Sequence, residues 1–106
     1  MANTTRTKRS TQLPLLKDAA IALSEKIGVQ KKISGHDLIE VDLGSLYYWI
    51  SPWPLITQFD VWMNTSDNPR KVLNMHWSPD GTIGVLSFRR GDWEQVILDR
   101  ARQELH

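Results

Sequence analysis

The stretch His36-Asp37-Leu38-Ile39-Glu40-Val41-Asp42-Leu43-Gly44-Ser45-Leu46-Tyr47-Tyr48-Trp49-Ile50 decides the fold class of this 106-residue chain. Ile39, Val41 and Leu43 alternate with Glu40 and Asp42, the period of two that marks a half-buried strand over Asp37–Leu43. Gly44-Ser45 is a two-residue connector suited to a type II′ hairpin, and Leu46–Ile50 is the return strand. Within it, Tyr47-Tyr48-Trp49 sets aromatic rings on both faces.

C-terminal to this hairpin, Ser51-Pro52-Trp53-Pro54 interrupts the sheet pattern, because two prolines cannot serve a central ladder. Leu55–Met63 resumes as a strand with Phe59, Val61 and Met63 on one face and Trp62 on the other, beside Asp60. Residues 64–70 read as a loop. Lys71–Trp77 and Thr82–Phe88 form a further hairpin around Ser78-Pro79-Asp80-Gly81, a type I turn by composition. Asp92 is positioned to cap a second helix, with Gln95 completing a capping box and Trp93, Ile97, Ala101 and Leu105 as its apolar stripe.

N-terminal to the hairpin, Leu16, Ala19, Ala20, Leu23 and Ile27 share one side at helical spacing. The spacing predicts a helix over 14–27, opened by Pro14 at its first position and stopped by Gly28 in the left-handed conformation. Residues 1–12 hold Arg6, Lys8 and Arg9 among Asn, Thr, Ser and Gln, with no large apolar group after Met1, and so predict a basic flexible arm. The expected fold is α+β: an N-terminal helix, a mostly antiparallel sheet of four to five strands, and a C-terminal helix. Residues 13–106 would form one domain, since a chain this long buries roughly two-thirds of its unfolded surface around one core.

Hydrophobic residues make up 41% of the chain and charged residues 24%, ordinary values for a folded domain. The absence of cysteine excludes disulfides, zinc–thiolate sites and cysteine nucleophiles. No apolar run approaches the roughly 20 residues of a membrane span. The polar start Ala2-Asn3-Thr4-Thr5 has no signal-peptide character, so a cytoplasmic protein with no membrane partner is expected.

Catalytic motifs are missing as well. No nucleophile elbow, Ser-x-x-Lys, phosphate-binding loop or dinucleotide fingerprint occurs. His36 and Glu40 would stand about 13 Å apart along a strand, too far to share one metal ion. His76 lies in a hairpin strand and His106 is terminal. No metal, no cofactor and no catalytic residue are expected, and Asp37, Glu40 and Asp42 read as a solvated strand face.

Charge placement points to a partner. Residues 1–32 carry seven basic groups against two acids, whereas residues 33–69 carry five acids and no Lys or Arg. That acidic middle also holds Tyr47, Tyr48, Trp49, Trp53, Phe59 and Trp62, six of the nine aromatics. Basic groups cluster as Arg6-Lys8-Arg9, Lys31-Lys32, Arg70-Lys71 and Arg89-Arg90, the last just before a helix N-terminus where phosphate is favoured. Exposed rings would suit stacking on single-stranded nucleic acid, but in the sequence their neighbours are Asp rather than Lys or Arg.

A basic arm, a small α+β domain, no cysteine, no catalytic motif and surplus aromatics together resemble the small inhibitors of bacteriophages and mobile elements, among them type I anti-CRISPR proteins. The resemblance is one of general character and implies inhibition of host defence by occupying a surface or a strand without catalysis. Two readings follow. In the first, Arg6, Lys8, Arg9, Lys31, Lys32, Arg70, Lys71, Arg89 and Arg90 bind nucleic acid, with single-stranded DNA the expected form. In the alternative, Glu40, Asp42, Tyr48, Trp53, Asp60 and Trp62 present an acidic aromatic face to a basic nucleic-acid-binding protein of the host.

Overall fold

A computed structural model describes residues 2–53, 57–65, 68–78 and 80–105, with the side chains of 2–14 outside that description. Two helices and six strands follow in the order α1 (Ala2–Ile27), β1 (Val29–Ile33), β2 (His36–Asp42), β3 (Leu46–Ile50), β4 (Phe59–Met63), β5 (Arg70–Trp77), β6 (Ile83–Phe88) and α2 (Trp93–Glu104). The strands form one antiparallel meander in sequence order, β1 to β6. This is the α+β fold expected, with one strand more than the four to five foreseen.

The added strand is β1, which pairs Val29 with Glu40 and Ile33 with His36 across a tight turn at Ser34-Gly35. Both turn residues have positive φ, 52° and 82°, the conformation of a type I′ hairpin. As an edge strand with every residue but Ile33 exposed, β1 has no buried face to impose an apolar alternation. The Gly44-Ser45 connector closes as read, with the Leu43 N–H donating to the Leu46 carbonyl at 2.9 Å. β4 starts only at Phe59; Leu55 and Ile56 of the longer strand expected there lie outside the described residues.

Alternation in β2 to β5 sends one set of side chains inward. Val41, Leu46, Tyr48, Ile50, Phe59, Val61, Leu73, Met75 and Trp77 form the floor of the core. Leu16, Ala20 and Leu23 from α1 and Trp93, Ile97 and Ala101 from α2 cover it, so both helices lie on this face. The Tyr48 hydroxyl donates to the Ala20 carbonyl at 2.7 Å, tying α1 to β3. No helix packs on the opposite face among the described residues.

Local expectations fail at both helices. α1 begins at Ala2, so Pro14 is an interior residue, and the backbone assigned to an arm is helical from Ala2 onward. Residues 2–13 contain no glycine or proline to stop the helix. Gly28 is not left-handed; a Cβ there would collide with the Ser24 carbonyl and the Ile39 side chain, so close packing of helix end and sheet requires the glycine. In α2, Asp92 is the N-cap residue but makes no side-chain cap bond. Gln95 donates forward to Asp99 Oδ1 at 2.8 Å, so the expected capping box does not form. Leu105, placed on the apolar stripe, is 46% exposed just beyond the end of α2.

Candidate nucleic-acid interface

Register fixes what the helix-free face carries. Glu40 pairs with Trp49 and Trp49 with Asp60, while Asp42 pairs with Tyr47, Tyr47 with Trp62 and Trp62 with Lys71. These two cross-strand rows stand side by side, pointing away from the core. Tyr47 and Trp62 stack with centroids 6.3 Å apart and planes within 6°, and Trp49 tilts against both at 5.8 and 5.6 Å. All three rings are half-buried, so each keeps part of its surface in solvent. Tyr48, between Tyr47 and Trp49 in sequence, points the other way and is fully buried, which removes it from the proposed protein-binding set.

Cations border this aromatic patch on two sides. On the β1 side, Lys31 Nζ lies 3.2 Å from Glu40 Oε2, and Glu40 Oε1 accepts the Trp49 indole N–H at 2.9 Å. On the β5 side, Lys71 Nζ lies 5.1 Å above the Trp62 ring and 3.9 Å from Asp60 Oδ2. The Lys side chains therefore reach the acids of the central segment across strand borders. Asp42 accepts from the Gly44 N–H of its own turn at 2.9 Å. Asp60 is only 3% exposed and accepts from Gln58 Nε2 at 2.7 Å. Glu40 and Asp60 are thus paired with Lys31 and Lys71, whereas Asp42 is exposed and makes no ion pair among the described residues.

Asp60 Oδ1 and Trp62 Nε1 are buried polar atoms with no partner among the described residues. Each such atom costs about 1–3 kcal/mol when left unmade. Burial, and secondarily the Glu40 charge, hold the Tyr47 hydroxyl above its ordinary ionisation range, so the ring patch adds no negative charge near neutrality.

The remaining basic residues divide by location. Arg70, Lys71 and Arg89 line one open cleft with Thr65, Asn68 and Pro69, at the end of β5 and β6 next to Trp62. Arg70, Arg89 and Arg90 are exposed and form no ion pair among the described residues. Lys32 is paired with Asp37 at 3.6 Å, on the far edge of the sheet. Arg6, Lys8 and Arg9 carry side chains outside the described residues. Trp53 is exposed but lies against α1, apart from the ladder. Sequence reasoning did not place Tyr47 and Trp49 in either site, although their alternation with Tyr48 was the signal for it.

No group of three His, Asp or Glu that could hold a metal occurs among the described residues, and no described helix is long and apolar enough to cross a membrane. No protein-family model, curated protein or solved structure matches this chain.

Proposed function

We propose that this chain binds single-stranded nucleic acid on the helix-free face of its sheet, without catalysis. The observation that carries the reading is the contiguous Tyr47–Trp49–Trp62 patch with Lys31 on one border and Lys71 on the other. Bases stack on partly exposed rings, and a sheet face with three aromatics offers room for about two or three bases. Phosphates lie along the borders, where Lys71 joins Arg70 and Arg89 in the adjoining cleft. Arg70 and Arg89, exposed and without ion pairs among the described residues, outnumber Asp42, the exposed unpaired acid of the face, which supports nucleic acid over a basic protein surface. Holding a strand without cleaving it is one of the two modes of action, a surface or a strand occupied without catalysis, that the resemblance to anti-CRISPR inhibitors implies.

The test is fluorescence anisotropy of a labelled oligothymidine at low salt with Trp49→Ala and Trp62→Ala variants. Each loss of a stack weakens binding by about 1–3 kcal/mol. Circular dichroism confirms that the variants fold. Wild-type protein with no affinity for the oligonucleotide would overturn the reading.

A further inference from the structure

Trp53 is the one tryptophan of the five that is fully on the surface, 55% exposed, and the sheet interface leaves it unused. It sits between Pro52 and Pro54 in sequence, a setting that limits backbone freedom. Its ring forms one wall of a groove whose other wall is α1, through Asp18, Ile21, Ala22 and Glu25. Leu15, 59% exposed, lies one helical turn before Asp18 and extends the apolar strip along the helix. The groove has a volume of about 300 Å³, enough for a large aliphatic or aromatic side chain but small for a separate ligand. Asp18 and Glu25 stand at its two ends, exposed, and neither makes an ion pair among the described residues.

We propose that the Trp53 groove docks a basic helical segment of a protein partner, which inserts one apolar side chain beside Trp53 while its Lys or Arg groups pair with Asp18 and Glu25. Charge complementarity selects this occupant. The acids flanking the groove make no ion pair among the described residues, unlike Glu40 and Asp60 on the sheet, so a basic segment gains two ion pairs and an acidic or nucleic-acid partner is repelled. Rigid exposed tryptophan beside aliphatic groups is the composition of an interface anchor, with charges at the rim. Spacing defines the segment further: seven residues of α1 separate the acids, about 10 Å along the axis. A partner helix matches it with two cations seven residues apart and a leucine between them. The surface is separate from the nucleic-acid face, so this inference stands or falls independently of that reading.

The probe is a synthetic helical peptide repeating Lys-x-x-Leu-x-x-x-Lys, compared with the same peptide carrying Glu for Lys, both titrated by calorimetry. The Lys peptide binds, and the Glu peptide binds at least tenfold more weakly. Trp53→Ala lowers Lys-peptide affinity at least tenfold while its circular dichroism spectrum stays that of the wild type, which shows that the variant is folded. In the double variant Asp18→Lys with Glu25→Lys the preference inverts toward the Glu peptide. Equal binding of both peptides, no binding of either, or an unaffected Trp53→Ala variant overturns the proposal. So does sedimentation showing self-association that Trp53→Ala abolishes, since the groove would then hold a second copy of this chain.

Discussion

Tyr48 shows how much a single residue's direction decides. Its ring is buried against Phe59, and its hydroxyl donates to the Ala20 carbonyl on α1. Burial keeps that hydroxyl neutral well above its ordinary value of 10.0. An unfolded Tyr48 loses its proton near 10.0 while the folded one retains it, so the unfolded state binds fewer protons above that pH. Stability is therefore independent of this group at neutral pH and falls as pH rises through 10.0. Tyr48→Phe should lose about 0.5–1.5 kcal/mol near neutrality with the hydrogen bond. The variant should also show a shallower alkaline loss than the wild type. Urea midpoints measured below and above 10.0 check both, and an unchanged alkaline slope would mean that another group dominates.

At the scale of elements, the helices exist to cover one face of the meander. Leu23 on α1 and Ile97 on α2 are both fully buried over it. Truncating either to Ala should cost about 2–5 kcal/mol through lost burial and the cavity left behind. Denaturant unfolding of the two variants reads this directly, and a loss near zero at both sites would contradict the packing described. Elements with a buried face were legible in the sequence for the same reason. β2, β3 and α2 each carry a period imposed by burial. β1 was not legible, because an exposed edge strand is held by backbone pairing and by the Ser34-Gly35 turn, neither of which requires an apolar pattern. The N-terminal reach of α1 was hidden too, since residues 2–12 hold no large apolar side chain and so carry no apolar period. The Gln95 capping box failed because Asp99, one turn on, competes for the same side chain.

Across the whole molecule, the charge segregation of the sequence is largely undone by folding. Lys31 and Lys71 flank the acidic segment in sequence, and sheet pairing brings them onto Glu40 and Asp60. Among the described residues, Arg70, Arg89 and the acid Asp42 are left without an ion pair near the aromatic face. If Lys31, Arg70, Lys71 and Arg89 each contact a phosphate, the slope of log affinity against log salt should be roughly −3, at about −0.7 per contact on a single strand. Arg70→Ala with Arg89→Ala should roughly halve that slope. Anisotropy titrations across a salt series measure it, and an unchanged slope would place the phosphates elsewhere.

The sequence by itself determined the α+β class, the central hairpin, the β5–β6 hairpin and the presence of one helix before and one after the strands, because alternation, helical spacing and turn chemistry are local consequences of burial. It also set the inventory of rings and charges. Only the tertiary structure decided which of them meet. Trp62 joins Tyr47 and Trp49 through the β3–β4 register, Lys71 reaches Trp62 from the next strand, and Trp53 is drawn to α1 instead. Register and the side on which the helices pack are set by the summed burial of the whole core, and no local stretch of the chain contains that sum.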